Sequence, residues 1–254
     1  MKHAVLFIFH VSAVLAASVT GCGGETADVS AQTSDEIVGG TVDPGDPAVV
    51  AVYARAPGAT QGALCTGEVI SPTVVLTAAH CITEVDPGAI HYVVPGPVFQ
   101  QVPSSQWLAT KEVHADPAFD ASNLANGHDI GVVILAQPTN IVPIPFIRTP
   151  LPSSVVGKNV RLVGYGLDNG VTQTGAGTKR QVTVSVVSMN DKTLETGNLL
   201  QKACNGDSGG PALLNIDGKE TIVGMTSYGL ILCLLTANYT RVDLYTSFID
   251  QYLQ

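Results

Sequence analysis

Asn205-Gly206-Asp207-Ser208-Gly209-Gly210-Pro211 is the stretch on which the reading of this chain turns. It sets a serine among glycines, and a serine hydroxyl is a poor nucleophile until a base takes its proton. Two other strings supply what is missing. Leu76-Thr77-Ala78-Ala79-His80-Cys81 offers an imidazole that can accept the proton near neutral pH, and His128-Asp129-Ile130-Gly131-Val132 offers a carboxylate. A buried carboxylate fixes the imidazole tautomer and stabilises its cation. His80, Asp129 and Ser208 are therefore the candidate catalytic residues.

Their order along the chain narrows the architecture. Gly206-Asp207-Ser208-Gly209-Gly210 also satisfies G-x-S-x-G, but in an α/β-hydrolase the acid and the histidine follow the serine, and no His follows Ser208. A subtilisin-type order would need Asp43 or Asp46 as the acid and an α/β pattern. The chain does not have that pattern. Ala48 to Tyr53, Val74 to Thr77, Gly131 to Leu135, Val160 to Gly164, Gln181 to Met189, Thr221 to Tyr228 and Tyr239 to Val242 are brief runs rich in Val, Ile, Thr and Tyr. Bounded by Gly, Pro, Asn or Asp, they predict an all-β body. At the C-terminus Tyr245, Phe248, Ile249, Tyr252 and Leu253 fall on one face of a short helix.

Composition agrees with an exported β-rich globule. Among 254 residues, 12 Lys and Arg stand against 21 Asp and Glu, a net charge of −9. With no clustered cations to neutralise phosphate, a nucleic-acid partner is excluded. Setting Cys22 aside, Cys65, Cys81, Cys204 and Cys233 form an even set without C-x-x-C spacing, which predicts two disulfides and no zinc site. Four cysteines allow three pairings, and spacing does not choose among them. His91, His114 and His128 lack ligand-like spacing, so no metal is assigned and no cofactor is expected.

The N-terminal segment is read as targeting. Lys2 and His3 precede an apolar stretch, Ala4 to Val19, too short and too interrupted for a membrane span. Residues 1–21 are assigned to an export signal. It ends in Val19-Thr20-Gly21-Cys22, a string similar to a bacterial lipobox, which implies lipidation of Cys22 and a lipoprotein precursor of the cell envelope. Residues 22–36 then form a propeptide or polar tether, and any membrane contact runs only through the Cys22 lipid.

Residues 37–254 resemble a trypsin- or chymotrypsin-like serine peptidase. The resemblance rests on Ile37-Val38-Gly39-Gly40, the string ending in His80-Cys81, Asp129, Gly164-Tyr165-Gly166, the Ser208 string, Ser227-Tyr228-Gly229 and Tyr239-Thr240-Arg241-Val242. It implies two six-stranded antiparallel β-barrels with the active site between them, and disulfides Cys65–Cys81 and Cys204–Cys233. It further implies an acyl-enzyme on Ser208 and an oxyanion hole from the N–H groups of Gly206 and Ser208. Polypeptide substrates, protein inhibitors and a monomeric state are the expected partners and assembly.

Two departures from the family pattern carry further expectations. Family zymogens are cut before the Ile-Val-Gly-Gly string, and the new ammonium of Ile37 would then pair with Asp207. Trypsin-like zymogens usually present Arg or Lys before that bond, whereas this chain presents Glu36. Six residues before Ser208, where the trypsin branch has a pocket-floor Asp, stands Lys202. A cation there would attract carboxylates, so cleavage after Glu or Asp is expected, with self-cleavage at Glu36-Ile37 as a corollary. Ala237 would narrow the pocket, while Ser227, Tyr228 and Gly229 would form its wall. The alternatives are an apolar pocket of chymotrypsin or elastase type, with Lys202 turned away, and a silent homologue acting as a binding module.

Overall fold

The structure, a computed structural model, describes residues 37–229, 233 and 235–253. The export signal, the lipobox with Cys22, the tether and Glu36 lie outside the described residues. Thirteen strands and two short α-helices, with single 3-10 turns between some of them, make up the regular structure of the described residues. β1 is Thr41–Val42, β2 Val49–Arg55, β3 Ala63–Ser71, β4 Val74–Thr77, β5 Ile90–Val94, β6 Leu108–Ala115 and β7 Gly131–Leu135. Then follow β8 Asn159–Gly164, β9 Arg180–Met189, β10 Thr193–Thr196, β11 Pro211–Ile216, β12 Lys219–Gly229 and β13 Ala237–Arg241. The helices are α1, His80–Thr83, and α2, Thr246–Asp250.

Strands β2-β3-β4-β7-β6-β5 close into one antiparallel barrel. Strands β8, β9, β10, β13, β12 and β11 form the second, closed by the pairing of β8 with both β9 and β11, and β1 adds to the outer side of β9. Closure removes the exposed strand edges that an open sheet would leave. The first barrel is filled by Val50, Val52, Val69, Val75, Val93 and Val133, whose branched side chains suit a pleated, crowded interior. A larger cluster holds the second barrel and the seam, with Leu76, Val94, Leu162, Tyr165, Leu213 and Ile222 among its members.

Each strand read from the sequence is present, with ends shifted by a residue or two. A short C-terminal helix is also present, but it is only one turn and a half: of the predicted face Phe248 and Ile249 lie within it and are buried, Tyr245 precedes it and is buried, and Tyr252 and Leu253 follow it half-buried. Strands β3 and β6 escape the sequence reading for opposite reasons. β3 interrupts its apolar run with Thr66-Gly67-Glu68, and all three are buried. β6 has no fully buried residue, three being exposed and five half-buried, so it lacks a clean alternation.

Candidate active site

Loops at the seam of the two barrels carry the candidate residues. β4 ends at Thr77 and the chain turns into α1, whose first residue is His80. Asp129 stands two residues before β7, which pairs with β4 from Val74 to Thr77, so the ladder brings the carboxylate to the imidazole. His80 Nδ1 lies 2.8 Å from Asp129 Oδ2, and the His80 backbone N–H donates to Asp129 Oδ1 at 3.0 Å. Ser227 Oγ, from β12 of the other barrel, donates to Asp129 Oδ2 at 2.5 Å. Burial alone would raise the Asp129 pKa, but His80 and Ser227 outweigh it and hold the carboxylate below its ordinary value.

Ser208 arrives from the opposite side, three residues ahead of β11. His80 Nε2 and the Ser208 carbonyl oxygen touch the same atom, Cys81 Sγ, at 3.7 and 3.6 Å. Among the described residues no hydrogen bond within 3.5 Å joins Ser208 Oγ to His80 Nε2. Such contacts in free enzymes commonly tighten only when substrate is bound. Thr66, which the sequence reading passed over, fixes the approach. Its N–H donates to Ser208 O at 2.9 Å, its hydroxyl donates to Gly206 O at 2.9 Å, and the same hydroxyl accepts the Tyr165 N–H at 3.0 Å.

The turn ahead of the nucleophile needs a residue without a side chain. Gly206 has φ +98°, and a Cβ there would lie 2.9 Å from Gly166 Cα. Among the described residues the N–H groups of Gly206 and Ser208 have no acceptor, whereas those of Asp207, Gly209 and Gly210 are all bonded. Two donors thus remain unspent, one on Ser208 itself and one two residues before it.

Asp207 is buried, and its two oxygens accept the N–H groups of Gly166 and Cys204, each at 2.8 Å. Burial raises its pKa to about 6, against the pull of those two donors and of the Arg180 charge. Ile37 is also buried, but in the uncut chain its nitrogen is a peptide N–H, and no ion pair joins it to Asp207 among the described residues.

A cavity of about 210 Å³ opens beside Ser208. Ser227, Tyr228, Gly229 and Ala237 are among its lining, together with Ala203, Thr226 and Thr236, which the sequence reading did not single out. Thr236 Oγ1 and Ser188 Oγ both donate to the Glu195 carboxylate, pinning that wall to β9 and β10. Lys202 is not part of the lining. Its side chain is buried, and Nζ donates to the carbonyls of Leu199 at 2.5 Å and Asn198 at 3.3 Å. Burial pulls its pKa below the ordinary lysine value.

The disulfides are Cys65–Cys81 and Cys204–Cys233. The first consumes the two sulfurs nearest His80, which leaves no thiolate there for a metal. His114 stacks on Tyr252 at 4.6 Å, His128 Nδ1 lies 3.0 Å from Asp116, and His91 is buried in β5. None of the three joins the His80 site.

Comparison with known proteins gives the same answer from independent information. The model of the trypsin family matches residues 37–249. Chymotrypsin-like elastase family member 1 of Bos taurus is 26% identical over 86% of this chain and 90% of its own length. Chymotrypsin of Phaedon cochleariae is 29% identical over 73% of this chain and 71% of its own. Phenoloxidase-activating factor 3 of Holotrichia diomphalia is 29% identical over 74% of this chain, which spans only 63% of that protein. With the double barrel, the two disulfides and a match across nearly all of the described residues, the chain belongs to the trypsin family and is a serine endopeptidase acting on polypeptides.

Proposed function

We propose that Ser208 is the nucleophile, His80 the general base and acid, and Asp129 the residue that orients His80. Ser208 Oγ attacks the scissile carbonyl and passes its proton to His80 Nε2. His80 then gives that proton to the leaving amine, and water repeats the sequence to release the acyl group. The N–H groups of Gly206 and Ser208 hold the oxyanion, for which donors must be fixed in advance. The observation that carries this reading is the His80–Asp129 pair beside a serine with two unspent N–H donors, its own and that of Gly206.

For the side chain preceding the cut, an uncharged pocket is the reading we favour over the expected Glu or Asp preference. Lys202's ammonium is occupied by two backbone carbonyls, and the lining consists of Ala, Thr, Ser, Tyr, Gly and Cys apart from Asn205. A carboxylate would enter such a cavity without a counter-charge, at a cost of several kcal/mol.

Maturation by cleavage at Glu36-Ile37, followed by pairing of the Ile37 ammonium with Asp207, completes the reading. A buried carboxylate with a raised pKa is what an arriving cation would stabilise. An uncharged pocket gives the enzyme no reason to cut after its own Glu36, so that cut falls to a separate, acid-selective peptidase. Export, lipidation at Cys22 and release of the peptidase domain by the same cut are part of this proposal. No helix of the described residues is long and apolar enough to cross a membrane.

Digestion of a diverse peptide library by the mature form, with fluorophosphonate labelling as control, tests these points. Labelling of the wild type and its loss in Ser208→Ala are expected, with apolar or small neutral residues before the cut. Predominance of Glu or Asp there would return the pocket to Lys202, and an unlabelled mature protein would leave only the binding-module reading.

A further inference from the structure

Lys202 is a buried cation with no carboxylate within 4.0 Å among the described residues. Its surroundings assign it a different task. Residues 198–201 form a tight turn in which Asn198 Oδ1 accepts the N–H groups of Leu200 and Gln201, at 2.8 and 3.0 Å, and Asn198 N–H donates to Gln201 O at 2.8 Å. Those bonds satisfy donors, and the carbonyls of Asn198 and Leu199 converge on one point. Apolar packing does not hold the turn, since Leu199 and Leu200 are 68% and 77% exposed. What occupies the point of convergence is the Lys202 ammonium, arriving from the next residue after the turn.

The turn touches both functional neighbours. On one side Lys202 N–H donates to Val38 O at 3.1 Å and Gln201 Nε2 to Gly39 O at 3.3 Å. The fit there is close enough that a Cβ on Gly39 would sit 2.1 Å from Leu200 O. On the other side Ala203 begins the pocket lining, and Cys204 N–H holds Asp207.

We propose that Lys202 serves as a tethered cation that locks the 198–201 turn between residues 38–39 and the pocket wall, making it a positioning residue for substrate binding and not a selector of substrate charge. This rests on the endopeptidase reading above. It also gives a reason for a cation at a site whose cavity contains none.

The test is chemical rescue. Mature Lys202→Ala is assayed on substrates with Glu, Gln, Leu, Phe or Lys before the cut, with and without ethylammonium chloride, against a sodium chloride control of equal ionic strength. KM is expected to rise roughly tenfold for every substrate, the scale of one lost charge-assisted hydrogen bond, with kcat little changed. Ethylammonium should restore much of that loss, whereas Lys202→Met, whose side chain fills the space without donors, should not respond. A selective loss on the Glu substrate would overturn the proposal, as would an unchanged KM or a raised KM that ethylammonium leaves untouched. Should Lys202→Ala fail to fold, Lys202→Arg and Lys202→Met decide it: KM near wild type only in the variant that keeps a cation supports the lock, and equal KM values refute it. Fluorophosphonate labelling of wild type and variants reports Ser208 separately, so absence of labelling in the wild type would refute the catalytic reading and not the lock.

Discussion

Asp129 and Asp207 are the same residue type, buried to the same degree, and they sit at the two halves of one site with opposite acid strengths. Asp129 is held below its ordinary pKa because an imidazole and a hydroxyl donate to it, whereas burial pushes Asp207 to about 6 against two backbone donors and the more distant Arg180 charge. Burial is common to both, so partners decide the charge state. The region around Asp129 is finished in the uncut chain. The carboxyl of Asp207 stays raised in spite of the Arg180 charge, and in the proposed maturation it gains the Ile37 ammonium as a further partner.

Replacing each residue should therefore give different signatures. Asp129→Asn should cost the mature enzyme about 10⁴ in kcat, since an asparagine leaves His80 in the wrong tautomer for a base. Steady-state assay of the purified variant measures this, and a loss below tenfold would break the comparison on the catalytic side.

Asp207→Asn should act in two directions. In the mature enzyme it removes the partner proposed for the Ile37 ammonium, and breaking a buried pair at 3–5 kcal/mol lowers kcat/KM by about 10²–10⁴. In the uncut precursor it should stabilise. The wild-type pKa there is raised, so this carboxyl favours the folded state below the ordinary carboxylate range, and that contribution is lost as pH climbs through about 6. Melting curves should show the precursor variant ahead by up to about 3 kcal/mol at neutral pH, shrinking to nothing near pH 4. Equal stability at all pH values would show that Asp207 is already compensated in the precursor.

Two smaller effects sharpen the contrast. Ser227→Ala removes one donor from Asp129 and leaves His80 in place, so kcat should fall roughly tenfold with KM nearly constant. Glu68 offers a third buried carboxyl, with neither oxygen hydrogen-bonded among the described residues and a pKa raised well above normal by burial. Glu68→Leu should stabilise the protein by about 1–3 kcal/mol. Because the wild-type group loses stability as pH rises through its raised pKa, the gain should grow toward alkaline pH in thermal melts; a loss of stability would mean that Glu68 has a partner.

How much of this was written along the chain depends on whether the deciding contacts are local. Strands such as Val74–Thr77 and Gly131–Leu135 carry their own pattern of branched residues, and the strings around His80, Asp129 and Ser208 each contain their candidate side chain. Thr66 is different. It lies in an unremarkable stretch, and its role comes from bonds to residues 99 and 140 positions away. Lys202 teaches the complementary point: its distance from Ser208 locates the backbone beside the pocket, but the direction of a flexible four-carbon stem is set by which carbonyls converge nearby. Tether and signal grammar, by contrast, is legible only in sequence.

Thr66 also bears on how the halves of the molecule can move. One residue of the first barrel grips the second at Gly206, Ser208 and Tyr165 together, so a sliding motion along the seam would break all three bonds in the same step.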